Sequence, residues 1–237
     1  MEAGITKEEL ARNLQIVREN IEKACQRAGR GPNCVKLLGA TKTKPPQVLR
    51  WAYELGLRVF GENRVQEFLQ KWEELKDLPI EWHFIGRLQS NKVKYIIDKV
   101  VLIHSVDRTS LVDELQKRAT KKGIEKIPVL LEVNVGGEET KGGVEPENAP
   151  QLLEYILKNA PSLEVKGLMT IPPYRENPEE VRPYFVRLRE LRDQLEREFG
   201  LKLPELSMGM SHDYPVAIEE GATIVRVGSA IFGERNY

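Results

Sequence analysis

Apolar side chains along this chain fall into two alternating rhythms, short unbroken runs and longer stretches with spacings of three and four. The first stretch is helical. Leu10, Leu14, Val17 and Ile21 form one stripe, Thr6 stands as N-cap with Glu9 as its capping-box partner, and Ile5 faces Leu10 as a staple. The first apolar run, 35–41, predicts a strand that passes into Lys42-Thr43-Lys44 and is stopped by Pro45-Pro46. A helix near 46–55, a short strand at 58–63 and a helix near 64–75 follow. Runs at 81–86 and 100–106 predict strands three and four, with a helical stretch from about 90 to 98 between them. The fifth strand is expected at 128–135 and the sixth at 165–170. A long helix near 178–199 then places Val181, Phe185, Leu188, Leu191 and Leu195 on its inner face. Its charged residues, including Arg192 with Glu196 and Asp193 with Arg197, make a solvated face rather than a binding site. Short runs at 206–208 and 224–228 complete a strand count of about eight.

Strands alternating with helices through short connections imply a parallel sheet. Eight such units close into a barrel, and 237 residues is a usual length for one. The expected fold is therefore α/β, a single-domain (β/α)8 TIM barrel spanning 1–237 with an extra N-terminal helix. An open doubly wound sheet competes, but it would normally carry a phosphate loop directly after the first strand. Lys42-Thr43-Lys44-Pro45 stands there instead. The glycine-rich stretch 136–143 fails the P-loop spacing, and its two glutamates would repel phosphate, so it reads as a flexible loop at the barrel mouth.

Charge removes several function classes. Lys plus Arg and Asp plus Glu each total 36, so no basic excess is available to hold nucleic acid or an anionic membrane. No apolar run reaches membrane-spanning length, and Met1 to Ile5 does not open a targeting segment, so a cytoplasmic protein is expected. Cys25 and Cys34 flank a Gly-Arg-Gly-Pro turn, show no metal or redox spacing, and suggest a reducing compartment. The 30% charged content hints at the ion-pair networks of a heat-adapted organism. His83, His104 and His212 are scattered without metal-ligand spacing, and no metal is expected. Trp51, Trp72 and Trp82 read as packing residues.

The candidate chemistry lies at strand ends. A lysine on open surface has a pKa of about 10.4, and burial or a neighbouring cation lowers it. Extended geometry before Pro45 would project Lys42 and Lys44 to the same side, each discouraging the other's charge, which is the setting of a Schiff-base lysine. Two solvated lysines capping a strand are the alternative. Lys141 is a rival amine, but its glycine-rich setting lacks an apolar strand. Phosphate in such barrels is held by the loops after strands seven and eight. Here Ser211 can cap a helix after strand seven, and Gly228-Ser229 after strand eight lets backbone N–H groups approach a ligand. Arg226 alternates with Val225 and Val227, so its guanidinium is expected to point into the barrel, toward either an anion or a protein carboxylate such as Glu132. An amine nucleophile, a phosphate cradle and an inward arginine describe a site for an aldehyde that carries a phosphate, and pyridoxal 5′-phosphate fits that description.

The segments Thr41-Lys42-Thr43-Lys44-Pro45, Phe60-Gly61-Glu62-Asn63, Trp82 to Lys92, Gly167-Leu168-Met169, Leu206 to Ser211 and Arg226 to Gly233 closely resemble those of the pyridoxal phosphate homeostasis proteins, in order and over nearly the whole chain. That family is similar to the barrel domain of alanine racemase and is thought to bind and buffer the cofactor without a demonstrated turnover reaction. The resemblance implies that Lys42 holds the cofactor as a Schiff base. It also implies that Ser211, Gly228 and Ser229 hold its phosphate, that Arg226 faces the pyridine nitrogen, and that Asn63 lies beside the ring. Thr41 replaces a serine found in many relatives, and His212 occupies a variable site. An arginine at the pyridine nitrogen disfavours ring protonation and so gives carbanion chemistry poor support. The chain ends at Tyr237, so one cofactor face is expected to be open to solvent. These features suit a monomeric carrier or buffer, with pyridoxal-phosphate-dependent apo-enzymes as its partners. The alternatives are an amino-acid racemase and a cofactor-free barrel enzyme acting on a sugar phosphate.

Overall fold

A computed structural model describes residues 4–139 and 141–234. The reading of Met1 to Ala3 as part of an untargeted N-terminus, Thr140 in the glycine-rich loop and the Tyr237 chain end lie outside those residues. The chain opens with helix α1 (Lys7–Arg27), whose N-cap Thr6 accepts a hydrogen bond from the Glu9 amide. Strand and helix then alternate: β1 (Lys36–Ala40), α2 (Pro46–Glu54), β2 (Val59–Glu62), α3 (Val65–Glu74), β3 (Glu81–Phe84), α4 (Val93–Ile96) and β4 (Leu102–Val106). The second half continues with α5 (Thr109–Lys122), β5 (Ile127–Glu132), α6 (Ala149–Asn159), β6 (Leu163–Met169), α7 (Arg182–Phe199), β7 (Glu205–Ser207), α8 (Tyr214–Glu219), β8 (Ile224–Val227) and α9 (Ser229–Phe232). The strands pair in parallel in chain order, and β1 closes on β8, with Leu38 opposite Val59 on one side and Arg226 on the other. The sheet is a closed barrel, not an open one.

The period of two along each strand divides the apolar residues into two cores. Leu38, Val59, Ile85, Leu102, Leu130, Met169 and Ile224 fill the barrel interior. Phe60, Trp82, Ile103, Leu131, Leu168, Leu206, Val225 and Val227 face outward against the helices. Phe60 and Phe68 meet Trp82 edge-on, so that tryptophan is a packing residue as expected. Helix α1 lies across α2, α8 and α9 and covers the seam where the barrel closes.

The apolar pattern left 109–122 and 149–159 unassigned, yet both are helices. Leu111, Val112, Leu115 and Ala119 make the buried stripe of α5, set among six charged side chains that mask it in sequence. The cysteines are a correction. Cys25 and Cys34 form a disulfide, with Cα atoms 6.5 Å apart. Motif spacing misses it because the chain reverses after α1 and brings the start of β1 back beside the helix. Arg30 pins that reversal by donating to the carbonyls of Ile218, Ala222 and Cys34. The cystine also removes the argument for a reducing compartment, since intracellular disulfides are ordinary chiefly in proteins of heat-adapted organisms.

Candidate functional site

At the C-terminal mouth the first feature is a turn. β1 ends at Ala40 and the chain does not stay extended to Pro45: the Thr41 carbonyl accepts from the Lys44 amide at 3.1 Å, and Thr43 has φ 68°. A left-handed β-branched residue is unfavourable. What holds it is a buried cluster beneath. Lys71 donates to the Thr41 carbonyl at 2.6 Å and to the carboxylates of Glu62 and Glu67, while Glu67 Oε2 accepts the Thr43 amide at 2.6 Å. Thr41 Oγ1 completes the cluster by donating to Glu62 at 2.7 Å. Burial pushes the Glu62 carboxyl above its ordinary range, and Lys71 and Thr41 hold it back. The turn brings Lys42 and Lys44 to the same cavity, though not by extended geometry. The Lys44 amine is lowered first by burial and also by Lys71, against Glu234, which raises it.

That cavity, about 460 Å³, is within the usual range of roughly 300–1,000 Å³ for a small-molecule site. It collects Lys42, Ser211, Arg226, Gly228 and Ser229. Asn63 is not among its walls. It lines a neighbouring cavity of about 1010 Å³ that shares Lys42, and its Oδ1 is buried with no partner among the described residues. Lys141 also reaches the smaller cavity, where its amine donates to the Pro172 carbonyl at 2.9 Å.

Ser211 does not cap α8. Asp213 occupies the cap position, and the helix starts at Tyr214 because Pro215, with no N–H to satisfy, belongs in a first turn. Asp213 Oδ1 instead accepts the Met210 amide at 2.8 Å. The Ser211 hydroxyl turns across the mouth and accepts from the Gly228 and Ala230 amides at 3.2 and 3.0 Å. An oxygen thus already sits where these two N–H groups converge, an arrangement that suits an anion. A Cβ at Gly228 would lie 3.3 Å from the Ala40 carbonyl oxygen, a tight contact that a larger residue would meet only by a small shift of its neighbour.

Arg226 is buried and inward, as its alternation with Val225 and Val227 predicts. Its hydrogen bonds go to Ser207 Oγ at 2.6 Å and to the Thr170 carbonyl at 2.9 Å rather than to Glu132. Burial lowers the guanidinium to about 10, with Glu132 and Asp213 opposing, so it stays charged at neutral pH. Glu132 is pushed up to about 7 by burial and by Asp107. His212 stacks on Tyr174 with ring centroids 5.0 Å apart, and its Nε2–H donates to the carbonyls of Arg175 and Glu176, fastening the loop after β6 over the cavity. The glycine-rich loop after β5 is tied inward by Asn134, whose Nδ2 donates to the Glu138 carbonyl at 2.6 Å while its Oδ1 accepts the Gly137 amide at 3.1 Å. Among the described residues no three or more His, Cys, Asp or Glu side chains gather in a way that could hold a metal ion. Sequence reading missed the Glu62–Lys71–Glu67 support. Only the i, i+4 spacing of Glu67 and Lys71 is visible in sequence, and Glu62 joins them solely because β2 and α3 are adjacent in space.

Comparison with known proteins places this architecture. Residues 13–236 match the family model described as alanine racemase, N-terminal domain. A protein of Aquifex aeolicus named pyridoxal phosphate homeostasis protein is 69% identical over 94% of this chain and 97% of its own length. Among solved structures, an unknown protein from Bifidobacterium adolescentis superposes with TM-score 0.89 at 37% identity, covering 95% of each chain. PipY of Synechococcus elongatus, solved with PLP bound, superposes with TM-score 0.81 at 35% identity, over 94% of this chain and 100% of that one.

Proposed function

This chain belongs to the family of pyridoxal phosphate homeostasis proteins, and from that premise we propose that it is a single-domain pyridoxal 5′-phosphate carrier that takes up the cofactor at the Lys42 cavity. The observation that carries the reading is the gathering of Lys42, Ser211, Arg226, Gly228 and Ser229 around one cavity. Bound there, pyridoxal 5′-phosphate supplies an aldehyde that reacts with amines and a pyridine ring that can draw electrons from what is attached. Lys42 is the residue whose amine would hold the group, as a Schiff base with its aldehyde and with the carbonyl oxygen lost as water. Ser211 and the backbone of Gly228 and Ser229 would hold the phosphate, and the Gly228 and Ala230 N–H groups that now meet the Ser211 oxygen are the donors available to it. Arg226 faces the ring nitrogen and, being cationic, keeps a proton off it. Asn63 flanks the ring from the adjoining cavity, and its unpartnered Oδ1 supports a polar contact there.

The same arginine favours storage over turnover, since a ring without its proton is a poor electron sink. The protein acts as a monomer in the cytoplasm and passes the cofactor to pyridoxal-phosphate-dependent apo-enzymes. No helix among the described residues is long and apolar enough to cross a membrane. Borohydride reduction of the cofactor-loaded protein followed by peptide mass mapping tests the assignment. The adduct is expected on Lys42 and absent in Lys42→Ala, and an adduct on Lys141, on Lys44 or nowhere overturns it. Rapid inversion of any single amino acid by the loaded protein would replace the carrier with a racemase.

A further inference from the structure

A continuous line of hydrogen bonds runs through the barrel from its N-terminal rim to the arginine at its mouth. At the rim Lys36 donates to Glu81 Oε2 at 2.7 Å, and His83 Nε2 lies 2.9 Å from the same oxygen. His83 Nδ1 is 2.8 Å from His104 Nε2, His104 Nδ1 is 2.9 Å from Ser207 Oγ, and Ser207 Oγ receives Arg226 Nη1. Both histidines and Ser207 are almost wholly enclosed. Strands β1, β3, β4, β7 and β8 contribute one or two members each, so only barrel closure assembles the line.

The direction of every bond follows from its ionised end. Glu81, paired with Lys36, is a carboxylate and can only accept, so His83 carries its proton on Nε2. Burial keeps both imidazoles neutral, although Glu81 and Glu205 pull the other way at His83 while Lys36 reinforces the lowering. A neutral ring with Nε2–H has a bare Nδ1, which must receive Nε2–H of His104. The bare Nδ1 of His104 must then receive the Ser207 hydroxyl. Ser207 is left with lone pairs only, and those face Arg226. All four bonds therefore point the same way, and each polarises the next. Arg226 is held between the Ser207 oxygen and the Thr170 carbonyl, with Glu132 and Asp213 as the other charges near it.

We propose that His83, His104 and Ser207 are positioning residues that lock the Arg226 guanidinium in the orientation in which it meets the pyridine nitrogen of bound pyridoxal 5′-phosphate. This rests on the reading of the cavity given above. Its first half is tested without cofactor, by ¹⁵N NMR of the histidine rings. Nε2–H with bare Nδ1 is expected for both His83 and His104 at pH 7 to 8, as a readout that packing alone does not dictate. The opposite tautomer at His104, or an imidazolium, overturns the relay.

The second half uses pyridoxal 5′-phosphate labelled with ¹⁵N in the ring, bound to wild type, Ser207→Ala and His104→Leu. Wild type is expected to show an unprotonated ring nitrogen. Losing one hydrogen bond to the guanidinium should weaken cofactor retention roughly tenfold and shift the ring-nitrogen resonance toward the protonated form. Ser207→Ala removes a single oxygen, so it serves where His104→Leu does not fold. Unchanged retention and resonance in a folded variant overturn the positioning role. A wild type that binds no cofactor overturns the cavity assignment, while the tautomers still judge the relay alone.

Discussion

The lysine that most shapes this site is not the one that faces the cavity. Lys71 is 3% exposed and Glu62 is fully enclosed, so each has given up its water for the other, for Glu67 and for the Thr41 carbonyl. Breaking such a group by removing one partner costs about 3–5 kcal/mol, because a charge is then left buried and unpaired. Lys71→Met should lose that much in urea unfolding at neutral pH, and the double variant Lys71→Met, Glu62→Gln should recover part of it. Glu132 carries a second prediction at this scale. Its folded-state pKa, about 7, lies above the ordinary carboxylate value. Between those two values the folded protein holds a proton that the unfolded chain has released. The associated stabilisation is therefore present at low pH and lost as pH rises through about 7. Glu132→Gln should stabilise the fold by on the order of 3 kcal/mol at pH 8 and by little at pH 4, read as the difference in Tm between the two proteins across that range. The placement of Lys42 and Arg226 at the cavity was legible because each sits at a strand end or in a strand alternation. The residues that brace them were not, since Glu62 meets Lys71 and Ser207 meets Arg226 only across neighbouring elements.

Among the elements, α1 stands outside the βα repeat and is joined to β1 by the reversal that the Cys25–Cys34 bond closes. The cysteines are nine residues apart, and cross-linking a loop that short removes roughly 2–3 kcal/mol of unfolded-state entropy. Cys34→Ser, or reduction before denaturation, should lower stability by about that amount and loosen α1 first, visible as faster amide exchange at Leu14, Val17 and Ile21 than in the barrel strands. Stretches with a strong apolar rhythm, α1, α7 and all eight strands, could be read from sequence within a few residues. Ser211 failed as a helix cap for a local reason: Pro215 sets the start of α8 at Tyr214, which frees the Ser211 hydroxyl to reach the amides after β8. Its membership of the mouth was readable, but its partner was not.

On the scale of the whole molecule, the barrel gathers an amine from the turn after β1, amides from the loop after β8 and a cation from inside β8, so a ligand that touches all three ties together strands next to the closing seam. The surface repeats this logic with charge: Arg182 bridges Glu179, Glu219 and Glu220, and Arg27 and Arg189 extend the network across α1, α7 and α8. Alternation of β and α predicted such a closed form, whereas the register that aligns the seam is a product of packing. Binding that spans the seam must raise the stability of the fold. A ligand present at 100 times its Kd adds about 2.7 kcal/mol, which for a chain of this length is a rise in Tm of roughly 5–10 °C. Pyridoxal 5′-phosphate should produce that rise in wild type. Pyridoxal, which lacks the anion, should produce much less at the same concentration, and inorganic phosphate, which lacks the aldehyde, should likewise fall short. On the proposed assignment Lys42→Ala would keep the phosphate contacts and lose the covalent one, so its rise should be reduced but not abolished. A shift in Lys42→Ala equal to that of wild type would mean that the cofactor binds away from the turn after β1, and that the cavity there serves another ligand.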